Sequence, residues 1–396
     1  MSKLLPLHGI KVVEFSHMVM GPTCGVILGD LGADVIKVEP AEGGDNTRNL
    51  PGSGAGFFVS LNRNKRSLAL DVKKPRGLDL VRRLIAKSDV LIENFRPGGM
   101  DAIGLSYDSL KGVNPGLIYT SLKGFLTGPY EHRAALDEVV QMMGGLAYMT
   151  GPPGRPLRAG APVNDMMGGM FAAIGILAAL RERDQTGIGQ HIKSSLYENT
   201  AFLVSTAMAQ YAVTGKAAAP MPARISAWAV YDVFETADDL QVFIGVVTDT
   251  QWRAFCEAFK LDDLASDRSL DTNTQRVGAR DRVMPRLRTF IKGLTRAEIS
   301  QVCEKVNLPF APIMRPDELF DDAQLNFPGA MMEITLADGR KTSVPALPLE
   351  MNGKRLGLRL DIPRIGEHSV AIAGEAGLTG DEVEALQDDK ILRGET

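Results

Sequence analysis

Cysteine and histidine are scarce in this chain, whose 396 residues include only three of the first and five of the second. Cys24, Cys256 and Cys303 lie far apart and lack the C-x-x-C spacing that zinc ligands share. The histidines form no H-E-x-x-H motif. We therefore expect neither a disulfide framework nor a bound metal.

Several other signatures are missing. There is no P-loop and no G-x-G-x-x-G after a strand, which disfavours ATP and dinucleotides. No apolar run approaches the ~20 residues that span a bilayer, and the first residues do not form a signal peptide. The net charge of −4 gives no global attraction to nucleic acid. We expect a cytoplasmic protein that contacts neither membrane nor nucleic acid.

The first third of the sequence alternates short β-branched runs with helical segments. The runs lie at Ile10–Phe15, Val35–Glu39, Ser67–Val72, Asp89–Phe95 and Leu117–Phe125. This rhythm predicts parallel βαβ units and an α/β fold with a doubly wound sheet.

A change of pattern follows the stretch TGKAAAPMPARISA, which has the small residues and prolines of a linker. A hairpin pattern, VYDVFETADDLQVFIGVV, and charged helical segments come next. We predict a smaller α+β domain at 225–325, and a large domain built from 1–224 and 326–396.

The stretch APVNDMMGGMFAA contains a candidate catalytic group. Asp165 precedes the pair Gly168-Gly169 and a helix predicted over Asp165–Arg183. One interpretation makes Asp165 a helix N-cap, since aspartate is favoured there. The other makes it a nucleophile that attacks an activated carbonyl, with the glycines allowing close approach of a ligand.

Three further segments lie where ligands bind to open α/β sheets, beyond the carboxyl ends of strands. In HMVMGPTCG, the N–H groups of Val19 and Met20 are candidate oxyanion donors, although an ordinary βα turn explains the same pattern. Asn94 and Arg96 follow the fourth strand. Basic residues surround the third strand and favour either a phosphate site or a solvated face: Arg63, Lys65, Arg66, Lys73, Lys74 and Arg76.

These residues resemble a known family. The stretches LHGIKVVEFSHMVMGP, LGADVIKVEP, GDNTR, NRNKRSLALDVKKPRG, ENFRPG, NPGLIYTSLKGF and DMMGGMFAAIGILAALRERDQTGIGQHIKSSLYE run in the order found in class III CoA-transferases, the CaiB/BaiF group. The resemblance implies a Rossmann-like large domain from both termini, a small middle domain, and two chains interlocked as a homodimer. It also implies an enzyme that uses coenzyme A as co-substrate and binds no cofactor permanently.

The resemblance also assigns residue roles. Asp165 falls on the catalytic aspartate, and Val19 and Met20 fall on backbone that faces the thioester, with Gly168 and Gly169 as further oxyanion contacts. His17 and Asp137 fall in the substrate pocket. The remaining matches fall on CoA contacts: Leu70, Val72, Lys73, Asn94, Phe95 and Arg96.

Departures from formyl-CoA transferase argue against the formate–oxalate pair. That enzyme has Gln-Ala at Val19-Met20, arginines at Pro40 and Ala102, and a lysine at Ala134. The favoured interpretation is transfer of CoA from succinyl-CoA to a dicarboxylic or related small acid. Arg224 or Arg96 would then bind the second carboxylate.

Two alternatives stay open at this point. A 2-methylacyl-CoA racemase of the same fold would use an Asp–His pair, and the family's racemases carry that histidine immediately before the position of Asp137. Here that position is Leu136, and His132 lies four residues upstream. A non-catalytic acyl-CoA-binding protein would need no nucleophile at all.

Overall fold

A computed structural model describes residues 5–224 and 226–394. The chain divides into two compact units, Met1–Pro222 with Gln324–Thr396, and Ala223–Ala323. The predicted domain limits lie within about two residues of these bounds.

The strands, in chain order, are β1 Lys11–Phe15, β2 Asp34–Glu39, β3 Lys65–Leu70, β4 Val90–Glu93, β5 Ile118–Lys123, β6 His191–Ser195, β7 Val230–Glu235, β8 Gln241–Val246, β9 Phe310–Pro312, β10 Met331–Thr335, β11 Lys341–Pro345, β12 Glu350–Met351, β13 Lys354–Arg355 and β14 Leu392–Arg393.

The α-helices are α1 Met20–Asp30, α2 Phe57–Leu61, α3 Pro75–Ile85, α4 Gly99–Ala102, α5 Tyr107–Leu110, α6 Asp137–Met143, α7 Leu146–Thr150, α8 Val163–Thr186, α9 Leu196–Leu203, α10 Ser205–Thr214, α11 Asp249–Ala258, α12 Asp262–Ala265, α13 Asn273–Gly278, α14 Arg280–Ile291, α15 Arg296–Lys305, α16 Ser369–Glu375 and α17 Gly380–Asp388. Short 3-10 helices lie at Asn46–Asn49, Gly52–Gly54, Met221–Ala223, Arg268–Leu270 and Pro316–Asp321.

The larger unit is built on a seven-stranded sheet with the order β14-β3-β2-β1-β4-β5-β6. Strands β1 to β6 run parallel, and β14 pairs antiparallel with β3 at one edge. The predicted α/β class with a parallel sheet is therefore confirmed. The chain order reverses at β1, between β2 and β4, which is the position where ligands bind to such sheets.

Helices cover both faces of this sheet because the buried strands are apolar on both sides. Val12 packs with α1 and α8 on one face, and its neighbour Val13 packs with α3, α16 and α17 on the other. Alternate side chains of a strand point to opposite faces, so each β-branched run fills both halves of the core.

Helix α8 is long and apolar enough to cross a membrane by length and composition, and 44% of its most apolar stretch is buried in the fold. A core helix of a globular protein has the same properties, so this helix alone does not indicate a membrane span.

The smaller unit has its own sheet, in the order β7-β8-β9 and antiparallel throughout. The hairpin predicted from VYDVFETADDLQVFIGVV is β7–β8, and its turn places Asp239 at φ 55°. Helices α11, α14 and α15 pack on this sheet around Phe255, Leu287 and Ile299.

Candidate active site

Asp165 is the third residue of α8, and Pro162 occupies the N-cap. The interpretation of Asp165 as an N-cap is therefore wrong, since the helix begins two residues earlier than predicted. Proline at the cap has no side-chain acceptor for the first-turn N–H groups of α8, so that acceptor must come from elsewhere.

Asp137, at the start of α6, supplies that acceptor. Its Oδ2 atom accepts from the backbone N–H of Asn164 at 2.9 Å and of Asp165 at 3.1 Å. Its Oδ1 atom accepts from the side-chain amide of Gln141. Asp137 is only 5% exposed and thus caps α8 from another helix. In the described part of the chain, the carboxylate of Asp165 itself accepts no hydrogen bond.

The electrostatic surroundings favour the protonated form of Asp165 more than water does for an ordinary aspartate. Burial, followed by the negative charges of Asp137 and Glu138, raises the pKa of Asp165 to about 7, and the cation Arg158 partly opposes this. The cause is the loss of water around a half-buried carboxylate next to like charges. Such a group is poorly solvated when ionised, which makes it a reactive nucleophile and a marker of a functional site.

The turn between β1 and α1 is held in a strained shape. Met18 adopts φ 62°, which non-glycine residues rarely do. The N–H of His17 donates to Oδ1 of Asn94 at 3.1 Å, while Nδ2 of Asn94 donates to the carbonyl of His17 at 2.8 Å. The N–H of Met18 donates to the hydroxyl of Thr47 at 3.0 Å. These bonds fix the backbone that leads into Val19 and Met20.

Helix α1 begins at Met20 with Val19 as its N-cap, and no side chain of the described residues caps it. The first-turn N–H groups of a helix have no partner within that helix, so those of α1 are left for water or a ligand. The hydroxyl of Thr23, one turn on, contacts the sulfur of Met166 at 3.3 Å. The first turns of α1 and α8 therefore lie side by side, with Asp165 next to Met166.

The glycine pair of α8 has a packing role. A Cβ on Gly168 would lie 2.2 Å from Cε of Met20, and one on Gly169 would lie 2.6 Å from the carbonyl oxygen of Met20. The two glycines thus allow α8 to approach α1. They are the sixth and seventh residues of α8, beyond the first turn, where helix carbonyls accept the N–H groups. This geometry argues against their expected part in oxyanion binding.

Beneath this turn lies a buried ion-pair cluster formed by Glu14, Lys37, Asp45 and Lys65. Lys65 lies 2.9 Å from Glu14, and Lys37 lies 2.8 Å from Asp45. Lys37 also donates to the carbonyl of Ser16 at 2.7 Å. Buried charges require such pairing, and here the pairing anchors the start of the βα turn.

A cleft of about 1140 Å³ opens at the carboxyl ends of β1 to β4. Four predicted CoA contacts line it together: Leu70, Val72, Lys73 and Phe95. Asn94 and Arg96 flank Phe95, and the ring of His17 lies 5.9 Å from that of Phe95. The C-terminal segment at Lys390 and Leu392–Gly394 also lines the cleft, and the sequence interpretation missed it.

The basic run around β3 is mostly structural. Arg63 is buried against Asp30, with 2.6 Å between Nη2 and Oδ2, and Lys65 belongs to the buried ion-pair cluster. Arg66 pairs with Asp34 at 2.6 Å. Arg63, Lys65 and Arg66 are therefore neither phosphate ligands nor a solvated face, the two interpretations left open by the sequence, because strand residues with buried side chains need local partners. Of the six members of the run, Lys73 lines the cleft.

Two residues near Asp165, Gln141 and Arg158, were not predicted from the sequence. Oε1 of Gln141 accepts from the N–H of Ala159 at 2.8 Å, which ties the loop before α8 to Asp137. Arg158, in that loop, pairs with Glu138 and is the cation that acts on Asp165. Only the tertiary contacts join these residues, so no sequence spacing could have identified them.

The position immediately before Asp137, where a racemase carries its histidine, holds a leucine. Leu136, immediately before Asp137, is 67% exposed. His132 lies on the surface with its ring 3.3 Å from Glu131. The proton-transfer pair of the racemase alternative is therefore not formed by these residues.

Several known proteins of similar sequence are named as CoA-transferases. The sequence model of CoA-transferase family III matches residues 7–369. A succinate–glutarate CoA-transferase from Agrobacterium fabrum is 35% identical, over 93% of this chain and 95% of that protein. The beta subunit of a succinyl-CoA–L-malate CoA-transferase from Chloroflexus aurantiacus is 32% identical, over 98% of each.

A crystal structure of a CaiB/BaiF family protein from Brucella suis has the same fold. The TM-score is 0.84 with 34% identity, and the match covers 94% of this chain and 100% of that one. Together with the acidic residue at the start of α8 and the cleft at the carboxyl ends of β1 to β4, these similarities establish that this chain belongs to CoA-transferase family III and is a CoA-transferase.

Proposed function

We propose that this enzyme moves coenzyme A from succinyl-CoA to a small dicarboxylic acid through covalent intermediates on Asp165. The proposal rests on the different hydrogen bonding of two aspartates at the start of α8. Asp137 takes the hydrogen bonds of the helix, and the carboxylate of Asp165 is left without a partner among the described residues. The acids in the relatives' names, glutarate and malate, are both dicarboxylic.

The chemistry then follows from the carboxylate. An oxygen of Asp165 attacks the thioester carbonyl, the C–S bond breaks, and CoA leaves as a thiolate from a mixed anhydride. The thiolate attacks the side-chain carbonyl of Asp165, which releases the donor acid and leaves an aspartyl-CoA thioester. The acceptor carboxylate repeats the two steps in reverse. The covalent intermediates divide one difficult transfer of CoA into easier steps.

The oxyanion that forms in each step needs hydrogen-bond donors. We place them at Val19 and Met20, because the first turn of α1 lacks a side-chain cap in the described chain and lies beside the first turn of α8. Fixed backbone donors in a site without water stabilise such charge strongly. The positive end of the α1 dipole adds to this effect.

Arg158 is our candidate for the second carboxylate of the acid. It lies close enough to Asp165 to act on its charge, and its present partner Glu138 is half-exposed. A guanidinium binds a carboxylate through two parallel hydrogen bonds, so the second carboxylate of the acceptor acid can displace Glu138. This assignment replaces Arg224 and Arg96 from the sequence interpretation. Arg224 belongs to the smaller unit, and Arg96 follows β4 at the cleft.

We also propose that the active enzyme is an interlocked homodimer. Helix α8 exposes an apolar stripe with the spacing of one helix face: Met166, Met170, Ile174 and Leu177. Large apolar side chains of α9 and α10 are exposed as well: Phe202, Leu203, Met208 and Tyr211. Patches of this kind mark protein–protein interfaces. The cytoplasmic location and the lack of a permanently bound cofactor stay predictions.

The decisive experiment traps the intermediate. With succinyl-CoA and no acceptor, hydroxylamine should convert Asp165 to a hydroxamate, and borohydride should reduce the thioester form at the same residue. Peptide mass spectrometry locates both adducts. Adducts at another residue, or none with an enzyme that still transfers CoA, would contradict the mechanism.

Substrates and assembly have separate tests. Mass spectrometry of CoA products from succinyl-CoA and mixed small acids should show dicarboxylic acyl-CoAs ahead of monocarboxylic ones. Sedimentation should show a dimer at nanomolar concentration, because such a core-like interface does not release folded monomers. Glutamates at Met170 and Ile174 should abolish the dimer, and a compact active monomer would refute it.

A further inference from the structure

The C-terminal strand forms one wall of the cleft that we assign to CoA, so this inference rests on the proposed function. β14 pairs with β3 so that Leu392 lies opposite Leu70 and Arg393 lies opposite Ala69. The N–H of Asp71 donates to the carbonyl of Ile391 at 2.8 Å. Ile391 and Leu392 are buried in the core beside α17. This wall is therefore rigid, although it lies close to the end of the chain.

Cations collect at this wall. Lys390 and Arg393 line the cleft with Lys73. Within residues 5–224 and 226–394, none of the three forms an ion pair. Three carboxylates line the same cleft: Glu39, which Arg48 neutralises at 2.7 Å, Glu42, and Asp71, whose Oδ1 accepts from the N–H of Lys73 at 3.0 Å. The three cations outnumber Glu42 and Asp71, so the described lining carries a net positive charge, which suits an anionic ligand group.

The order of the strands indicates which end of CoA lies at the β14 edge of the cleft. The thioester must lie at the turn after β1, beside Asp165. Sheet order places β3 and β2 between β14 and β1. Because neighbouring strands lie about 4.8 Å apart, β14 is roughly 14 Å from β1. CoA is a long molecule whose thiol and phosphorylated ribose are at opposite ends, so a thiol at β1 leaves the nucleotide at the β14 edge.

We propose that Lys390 and Arg393 bind the 3′-phosphate of coenzyme A. Lys73, which follows β3 and lies nearer to the thioester turn, faces the diphosphate. Arg393 is half-buried and presents a planar guanidinium, the group best matched to a phosphate. Lys390, exposed at φ 56° in the turn before β14, adds a second charge at the mouth of the cleft.

The test compares CoA with 3′-dephospho-CoA, which differs only in the phosphate at issue. Wild type should bind CoA at least tenfold more tightly by calorimetry, and the KM values of the succinyl thioesters should differ likewise. The double variant Lys390→Gln with Arg393→Gln should lose this preference. Its affinity for CoA should fall at least tenfold, its affinity for dephospho-CoA should not change, and kcat should be retained.

Three outcomes would overturn the inference. The double variant could bind CoA as tightly as wild type. It could also lose affinity for CoA and dephospho-CoA equally, which would mean that the two cations bind the diphosphate or only stabilise the fold. Wild type could also bind both ligands alike. Lys87→Gln, an exposed lysine of the same unit outside the cleft, is the control and should change nothing. Calorimetry with CoA alone needs no turnover, so an enzyme that binds CoA but transfers none refutes the proposed function and leaves this inference standing.

Discussion

Replacement of Asp165 by asparagine separates a reactive carboxylate from a structural one, because the two roles have opposite effects on stability. Burial and neighbouring charge raise the pKa of Asp165 from an ordinary value near 3.8 to about 7. The folded chain therefore holds this proton over a range of pH in which the unfolded chain has released it. Stability then falls as the pH rises from about 4 to 7, and the full penalty is present above pH 7.

The size of this penalty can be bounded. One pKa unit corresponds to about 1.4 kcal/mol, which sets an upper limit of about 4 kcal/mol for the shift. The side chain is only half-buried, so solvent screening reduces this to about 1–2 kcal/mol. Asparagine carries no charge at any pH and escapes the penalty. We therefore expect Asp165→Asn to be more stable than wild type at pH 8, with a rise in Tm of roughly 1–2 °C.

The same variant should lose nearly all transfer activity, because a carboxamide cannot form the anhydride. Unfolding by denaturant at several pH values measures the stability, and its gain should shrink as the pH falls and nearly vanish at pH 4. Asp184→Asn, at an exposed position of the same helix, should change stability by less than about 0.5 kcal/mol. An Asp165→Asn variant that is less stable than wild type at pH 8 would refute the electrostatic reasoning, and one that retains activity would refute the nucleophile.

Two other substitutions test the surroundings of Asp165, and a third tests the buried ion-pair cluster at Glu14. In wild type, kcat/KM should fall about tenfold per pH unit below pH 7. Asp137→Asn should move this acid limb of the pH profile to lower pH, because it removes a negative charge next to Asp165. An unmoved limb would show that Asp137 does not raise the pKa of Asp165. Arg158→Gln should raise the KM for glutarate or succinate about tenfold or more and leave that for propionate unchanged, and equal effects on both acids would show that Arg158 does not bind the second carboxylate. Gly25→Ala should destabilise the fold by about 3 kcal/mol or more in denaturant titrations, since its Cβ would lie 1.7 Å from Oε2 of Glu14; Gly374→Ala, with no atom within 4 Å in the described structure, is the control and should be tolerated.

The sequence alone predicted five strands of the large sheet, the hairpin of the smaller unit and the helix beginning at Pro75. The five apolar runs became β1 to β5 with shifts of one or two residues at most ends, because β-branched runs between glycines and prolines have few other stable structures. The hairpin of the smaller unit and the helix beginning at Pro75 were confirmed for the same local reasons. The match of ordered motifs also identified the family, which the comparisons confirm.

Tertiary structure decided how charged residues divide between structure and chemistry. Local pattern left Asp165 open as a cap or a nucleophile and Lys65 open as a phosphate ligand or a solvated residue. In the structure Asp137 caps α8 from another helix, and Lys65 is buried against Glu14. The cleft wall at Arg393 comes from the far end of the chain. A sequence records which side chains can carry charge, but the partner and the water around each one depend on contacts between distant segments. The pKa of Asp165, and with it the reactivity of the site, is set by those contacts alone.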